Sequence, residues 1–148
     1  MSWIPRDFKY PQRLDLPTGH HLRPIRADDA EVDLPAVMGS RDTLFAIYGE
    51  AWGWPPESMT LEVDRDDLAH HVAEAQAREG FLYAVLDPAE TELLGCVYVY
   101  PSATDADADV SWWVVDTARG TELEHVLDRA VPEWLAETWG LPSIRRHP

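Results

Sequence analysis

The residues with the clearest chemical potential form a turn between a predicted strand and a predicted helix. The strand covers residues 110–116, the helix covers residues 121–139, and the pair Arg119 and Gly120 lies between them. Backbone amides at the start of such a helix lack intrahelical acceptors and point the same way, so they attract anions such as a diphosphate. A glycine lets the backbone approach the anion closely. The turn therefore predicts an anion-binding site.

The other metal-ligating and nucleophilic side chains are arranged less favourably. His70 and His71 are neighbours on a predicted helix and face about 100° apart, which disfavours joint metal binding. His71 shares the apolar stripe of that helix, so we interpret it as a hydrogen-bonded, partly buried histidine. His20 and His21 alternate across a predicted strand, and Cys96 is the single cysteine, within an apolar strand. We therefore predict no metal site, no disulfide and no nucleophilic catalysis.

The composition is that of an ordinary globular chain with a strong negative charge. The 148 residues include 27 acidic and 12 basic ones, which gives a net charge of -15, and 45% are hydrophobic. A field of this sign repels phosphate backbones and anionic lipids, so we expect neither nucleic acid nor a membrane as partner. No apolar run approaches the ~20 residues of a membrane helix, and the first ten residues lack the apolar stretch of a secretory signal. We expect a cytoplasmic protein.

The pattern along the chain predicts an extended arm over residues 1–19 and one domain over residues 20–148. The predicted elements are a strand at 20–26, helices at 29–39, 41–49 and 65–79, hairpin strands at 81–87 and 93–100, a strand at 110–116 and a helix at 121–139. Asp64 is the predicted N-cap of the third helix, and Pro132 predicts a kink or break in the last one. The later strands are apolar on both faces, so helices must cover both sides of the sheet, and the class is α+β.

With these elements in this order, the chain resembles the GNAT superfamily of acetyl-CoA-dependent acyltransferases over residues 20–141. The most specific stretch is ADVSWWVVDTARG, residues 108–120, which is similar to the family's central strand and the start of its pyrophosphate loop. Members commonly show an acidic residue, a small residue and aromatics there, then an Arg-Gly pair. These positions hold Asp109, Ser111, Trp112, Trp113, Arg119 and Gly120. Gly95 is also similar to a glycine of the family's preceding strand.

The resemblance implies a central, mostly antiparallel sheet flanked by helices, with acetyl-CoA as co-substrate. It implies that Asp109 acts as a general base that guides the deprotonation of an attacking amine. The alternative for Asp109 is a solvated residue at the end of an acidic loop. The resemblance also implies which residues contact the co-substrate: Val114, Val115 and Asp116 for the pantetheine, and Arg119, Gly120, Thr121, Glu122 and Leu123 for the diphosphate.

Two departures separate this sequence from the family pattern. The family loop has the form Arg/Gln-x-x-Gly-x-Gly/Ala, and here Glu122 and Glu124 hold the positions of the later small residues. Inward-facing glutamates would repel a diphosphate, whereas outward-facing ones would only favour the helix dipole. After Gly140 the sequence LPSIRRHP is enough for one short strand, without the family's last helix and strands and without its usual general acid. Tyr98 and Tyr100 are the two candidates to replace that general acid.

Four tryptophans have two interpretations each. Trp112 and Trp113 point to opposite faces of one strand, and we interpret them as core residues, the alternative being an acyl or substrate pocket. Trp52 and Trp54 lie in a predicted proline-containing loop where the family gathers substrate contacts. Substrate binding and packing of that loop are equal alternatives for this pair.

The leading hypothesis is a GNAT-type N-acetyltransferase that transfers an acetyl group from acetyl-CoA to a small amine. The negative charge favours a cationic amine, because opposite charges raise the encounter rate. The rival hypothesis is a GNAT-like binding or dimerisation module that no longer binds acetyl-CoA. A homodimer would then cover the sheet edge left by a short final strand.

Overall fold

The computed structural model describes residues 3–148, and over this range the chain forms one six-stranded sheet. The strands are β1 (Leu14–Asp15), β2 (His21–Pro24), β3 (Phe81–Leu86), β4 (Leu93–Tyr100), β5 (Ala108–Val114) and β6 (Ile144–Arg146). Their order in the sheet is their order in the chain, and neighbours are antiparallel except for β5 and β6, which are parallel. The predicted α+β architecture with a mostly antiparallel sheet is confirmed.

Helices cover both faces of this sheet. Within residues 3–148 the α-helices are α1 (Ala30–Gly39), α2 (Arg41–Trp52), α3 (Leu61–Gln76) and α4 (Glu122–Glu137). Alternation along β5 places Trp112 in the apolar core beneath α4 and Trp113 in the core beneath α1, α2 and α3. Both indoles are buried, as interpreted from the sequence.

Two helix boundaries differ from the prediction. Helix α3 begins after Thr60, whose hydroxyl accepts a hydrogen bond from the Val63 amide at 3.1 Å. The predicted N-cap, Asp64, is therefore inside the helix, and it is 1% exposed. Helix α2 continues through Trp52 and ends at Gly53, which has a φ of 62°. Trp52 thus lies on a helix rather than in the predicted loop.

The last helix is continuous, so the break predicted at Pro132 is not observed. Val131 and Leu135, on either side of the proline, are completely buried against the sheet. This packing keeps the helix in one piece although Pro132 lacks an amide to donate. No helix within residues 3–148 combines the length and the apolar character that crossing a membrane requires.

The described part of the N-terminal arm packs against the domain. Strand β1 pairs with β2, and the Tyr83 hydroxyl donates a hydrogen bond to the Pro11 carbonyl at 2.7 Å. Ile4 and Leu16 are buried in the core beneath α4. Residues 3–19 therefore supply side chains to one of the two cores.

Candidate active site

A cavity of about 510 Å³ lies on the sheet face covered by α1, α2 and α3. Alternate side chains of β4 line it, because residues two apart on a strand share a face. These are Cys96, Tyr98 and Tyr100. The cavity has four aromatic and four acidic residues in its lining: Trp52, Trp54, Tyr98, Tyr100, Asp33, Asp67, Glu74 and Asp109. A space of this size and lining is typical of a site for a small cationic molecule.

The aromatic residues form a connected wall. The Trp52 ring stacks on Tyr48 with centroids 4.7 Å apart and meets Tyr98 edge-on at 5.0 Å. Trp54 packs against Trp113 at 6.2 Å. Trp52 is 38% exposed, which places it at the mouth of the cavity. The structure thus brings both predicted substrate-binding tryptophans to the cavity, where they also pack against neighbouring rings.

Asp109 lies on β5 at one end of the cavity, paired with an arginine. Arg145 of β6 donates two hydrogen bonds to its carboxylate, at 2.8 and 2.5 Å. These bonds lower the pKa of Asp109 below its ordinary value. The residue is therefore an ion-pair partner, and its carboxylate is a weaker base than a free aspartate. Its role as general base remains a prediction.

A second polar group lines the cavity on the α3 side. His71 Nδ1 lies 2.9 Å from Glu74 Oε1, and the Tyr100 hydroxyl donates to the same oxygen at 3.1 Å. An ionised Glu74 accepts the Nδ1 proton, which leaves Nε2 as the basic nitrogen of the ring. Burial, with the Glu74 charge beside it, raises the pKa of the Tyr100 hydroxyl. This cluster was not predicted from the sequence, although the spacing of His71 and Glu74 places them on one helix face.

Strands β5 and β6 diverge at the same end of the cavity. They pair only over Ala108–Val110 in β5, and the last hydrogen bond runs from the His147 amide to the Val110 carbonyl at 3.0 Å. By alternation, the backbone groups of Trp112 and Val114 face the gap that opens beyond this point. The Arg146 guanidinium donates to the Trp112 carbonyl at 3.0 Å from across the gap. Asp109 and His147 line the cavity, so the cavity reaches the divergence point.

The residues expected to bind pantetheine are only partly on this open edge. Val114 faces the gap, but the Val115 amide donates to the Leu94 carbonyl at 2.8 Å. The Asp116 amide donates to Ser40 Oγ, also at 2.8 Å. The amides of Val115 and Asp116 are thus already used within the fold.

The predicted anion-binding turn holds one of the chain's own carboxylates. Gly120 has a φ of 73°, and its amide donates to Glu124 Oε1 at 2.9 Å. Of the two glutamates that depart from the family loop, Glu124 therefore faces the turn, whereas Glu122 is exposed. Diphosphate binding at this turn stays a prediction, and a diphosphate must displace Glu124 to reach the Gly120 amide.

The framework fits acetyl-CoA once two side chains move. The open edge of β5 supplies backbone partners, and the first-turn amides of Glu122 and Leu123 have no intrahelical acceptors. Glu124 and Arg146 contact these same surfaces and are partly exposed, and the Arg146 guanidinium also lies 3.7 Å from the centroid of the Trp112 ring. Among the described residues, no group of three or more histidine, cysteine or acidic side chains is placed to hold a metal ion.

The family is established by sequence. A model of the acetyltransferase (GNAT) domain matches residues 21–146, so the chain belongs to the GNAT acetyltransferase family. The resemblance stated from residues 108–120 is thereby confirmed. No curated protein matches the chain significantly.

Solved structures of similar fold are acetyltransferases of this family. Ribosomal-protein-S5-alanine acetyltransferase from Vibrio fischeri has a TM-score of 0.64 and 19% identity, over 87% of this chain and 69% of that one. The ribosomal L7/L12 α-N-protein acetyltransferase RimL in complex with coenzyme A has a TM-score of 0.66 and 15% identity, over 84% and 67%. The microcin C7 self-immunity acetyltransferase MccE in complex with acetyl-CoA and AMP has a TM-score of 0.67 and 12% identity, over 86% and 66%. At these identities the likeness shows a shared fold.

Proposed function

We propose that this chain transfers an acetyl group from acetyl-CoA to a small cationic amine bound in the cavity. One observation carries the proposal: the acid-lined and aromatic-lined cavity reaches the point at which β6 leaves β5. In the GNAT family the co-substrate lies between these two strands. An amine in the cavity would therefore meet the acetyl group beside Asp109 and His147.

The lining and the charge of the chain support a cationic acceptor. Ammonium groups bind over the faces of tryptophan and tyrosine and pair with carboxylates. The net charge of -15 raises the local concentration of cations around the protein. The cavity volume of about 510 Å³ is in the range typical of small-molecule sites. We therefore assign the acceptor to small amines rather than to a folded protein surface.

The amine must lose a proton before or during its attack on the thioester carbon. We assign that proton to His71 Nε2, because Glu74 holds the other ring nitrogen. Asp109 is the alternative acceptor, but its two hydrogen bonds from Arg145 make its carboxylate less basic. In this assignment the pair of Asp109 and Arg145 fixes the end of the cavity where the amine reacts.

The co-substrate would be held mainly by backbone groups. The free edge at Trp112 and Val114 would bind the pantetheine arm, and the turn at Arg119, with the first amides of α4, would bind the diphosphate. When bound, acetyl-CoA supplies the activated acetyl thioester. The residues of the chain orient the amine and accept its proton as the nitrogen–carbon bond forms. The carbon–sulfur bond of the thioester breaks in the same reaction, and the thiolate of coenzyme A would leave and take a proton from the solvent.

The rival function, a binding module without acetyl-CoA, is supported by two contacts. Glu124 occupies the Gly120 amide and Arg146 occupies the Trp112 carbonyl, so the chain's own side chains take both positions. This rival predicts a homodimer across the edge strand β6. Light scattering at micromolar concentration tests that dimer.

Calorimetric titration with acetyl-CoA separates the two functions. We expect binding by the wild type and roughly tenfold tighter binding by Glu124→Ala, because a carboxylate is removed from the diphosphate position. Glu122→Ala is the matched control, since it removes the same charge from an exposed position in the same turn, and we expect a smaller gain. No heat with either the wild type or Glu124→Ala at millimolar acetyl-CoA would eliminate the enzyme and leave the rival.

The proton acceptor is tested by the rate of acetyl transfer, followed through release of the free thiol. We expect His71→Asn to lower kcat roughly a hundredfold with little change in KM for the amine. Asp109→Asn should lower kcat less. The reverse pattern would assign the base to Asp109.

A further inference from the structure

The Tyr98 hydroxyl carries a proton that the fold itself does not use. Tyr98 lines the cavity and is 5% exposed. The Trp113 indole Nε1 donates a hydrogen bond to the hydroxyl oxygen at 3.1 Å, and an indole nitrogen acts only as a donor. Within residues 3–148 this is the hydroxyl's one hydrogen bond, so its own proton is free to bond to a ligand in the cavity.

Tyr100 also lines the cavity, but its proton is already used. Its hydroxyl donates to Glu74 Oε1 at 3.1 Å. Tyr98 differs because the group that holds its oxygen is a donor. Burial raises the pKa of Tyr98 well above its ordinary value, so the hydroxyl keeps its proton near neutral pH. The cavity therefore contains one neutral O–H donor whose oxygen is fixed and whose proton is unused.

Tyr98 lies beside the point at which β5 and β6 diverge. It is registered opposite Ser111, which follows Val110, the last residue of β5 that pairs with β6. The hydrogen bond to Trp113 shows that the Tyr98 side chain reaches from β4 to a side chain of β5. The ring centroid of Tyr98 is 6.3 Å from that of His71, the assigned proton acceptor. The free proton and the proton acceptor thus lie in the same part of the cavity.

The chemistry of acetyl transfer requires a donor in this position. When an amine attacks the thioester, negative charge develops on the carbonyl oxygen, and donors about 2.7–3.1 Å from that oxygen stabilise it. The attacking nitrogen and the carbonyl oxygen are bonded to the same carbon. A base that contacts the nitrogen and a donor that contacts the oxygen therefore lie within about 9 Å of each other. The spacing of the His71 and Tyr98 rings satisfies this limit.

We propose that the Tyr98 hydroxyl donates a hydrogen bond to the carbonyl oxygen of the acetyl thioester during transfer, which makes Tyr98 a catalytic residue. This inference rests on the proposed function. The proton stays on Tyr98: the carbonyl double bond opens as the nitrogen–carbon bond forms, and it closes again as the carbon–sulfur bond breaks. Trp113 is a positioning residue, because its indole fixes the hydroxyl oxygen and leaves the proton free.

The first test is Tyr98→Phe, which removes the donor and keeps the ring. We expect kcat for acetyl transfer to fall roughly a hundredfold, with little change in KM for the amine or in the affinity for acetyl-CoA, because the hydrogen bond strengthens as the oxygen gains charge. Tyr83→Phe is the matched control. It also removes a hydroxyl from a buried tyrosine, but that hydroxyl bonds to the Pro11 carbonyl in the other core, so kcat should change much less.

Trp113→Phe separates a catalytic role of Tyr98 from a structural one. Tyr98→Phe leaves the Trp113 indole without its acceptor, and Trp113→Phe leaves the hydroxyl without its donor, so both variants break the same contact. If the contact mattered only for packing, the two variants would lose activity alike. We expect Trp113→Phe to lose less kcat, because it retains the Tyr98 O–H.

Infrared difference spectroscopy detects the proposed hydrogen bond without turnover. The probe is acetyl-CoA with an isotope-labelled carbonyl, bound in the absence of an amine. A hydrogen bond to a carbonyl oxygen lowers its stretching frequency, so we expect a lower frequency in the wild type and Tyr83→Phe than in Tyr98→Phe. Replacement of Tyr98 by a fluorotyrosine, a more acidic phenol, should lower the frequency further, and it keeps the test valid if Tyr98→Phe folds poorly.

Three outcomes would overturn the inference while the proposed function stands. They are wild-type kcat in Tyr98→Phe, equal losses of kcat in Tyr98→Phe and Trp113→Phe, and a carbonyl frequency that changes neither in Tyr98→Phe nor with fluorotyrosine. A wild type that does not bind acetyl-CoA would instead overturn the proposed function, and the inference with it.

Discussion

Asp29 and Asp33 are four residues apart and both are buried, yet their surroundings are opposite. Arg23 donates two hydrogen bonds to Asp29, both at 2.8 Å, and the Arg26 amide donates a third at 2.8 Å. Asp33 instead lines the cavity, which also has Asp67, Glu74 and Asp109 in its lining. The fold therefore pairs one buried acid with an arginine and leaves the other at an acidic cavity wall.

The compensated region continues to the hairpin between β3 and β4. Glu90 receives hydrogen bonds from Arg23, at 3.0 and 3.2 Å, and lies 2.6 Å from His21 Nε2. These contacts lower the pKa of Glu90 to about 2 and raise that of Arg23. The network joins β2, the start of α1 and a turn, so it contributes to stability.

The largest loss of stability is expected when the arginine is removed from the network that contains Asp29 and Glu90. Arg23→Leu leaves Asp29 buried without its partner, and such changes cost about 3–5 kcal/mol. Urea denaturation measures the loss. Arg13→Leu is the control, because its ion pair with Asp15 is exposed and such pairs contribute about 0.2–1 kcal/mol. Similar losses in the two variants would show that the network is not a stabilising unit.

A smaller effect is expected for the glutamate of the same network. Glu90→Gln should cost about 1–2 kcal/mol at neutral pH, after allowing for solvent screening of this partly exposed group. Because the folded-state pKa is about 2 and the ordinary value is 4.5, this contribution is complete above pH 4.5 and is lost as the pH falls towards 2. The melting temperatures of the wild type and the Glu90→Gln variant should therefore become equal as the pH is lowered. A constant difference would contradict the assignment.

The smallest effect, with the opposite sign, is expected at Asp33. Burial raises the pKa of Asp33, so near pH 8 its folded form must either bind a proton or carry an uncompensated charge. Asp33→Asn should therefore stabilise the protein by about 1 kcal/mol at this pH. A raised folded-state pKa means that this cost is present above that pKa and disappears as the pH falls towards the ordinary value of 3.8. Thermal melts from pH 8 to pH 4 should show a shrinking gain. If Asp33→Asn were instead less stable than the wild type across this pH range, Asp33 would be stabilised by its surroundings, as Asp29 is.

The order and type of the helices and of strands β2 to β6 could be predicted from the sequence, because hydrophobic periodicity and turn residues are local signals. Strand β1 was not predicted, since it lies within the residues expected to form an extended arm. The boundary of α3 could not, because Asp64 is an acceptable N-cap residue by type and only the packing of α3 against α1 shows that it is buried. The Arg119–Gly120 turn was recognisable, but the contact of Glu124 with the Gly120 amide depends on a side-chain rotamer.

Only some of the residues that line the cavity could be predicted from the sequence. Trp52, Trp54 and Asp109 were candidates on the basis of family resemblance, and all three line the cavity. Asp33 and Asp109 line one cavity from a helix and a strand that are far apart in the chain, and no periodicity within either element predicts this. Long-range pairs of this kind are set by tertiary packing alone.

The N-terminal arm is part of the folded domain, although it lies outside the residues that match the family. The family match begins at residue 21, but Ile4 is 1% exposed, and the Trp3 indole donates to the Arg78 carbonyl at 3.1 Å. Phe8 also packs against Trp139, with ring centroids 5.2 Å apart. A protein that begins at residue 21 would lack Trp3, Ile4 and Phe8, so the residues they cover, including Trp139, would be exposed. This apolar surface, on the side of the sheet away from the cavity, would favour aggregation.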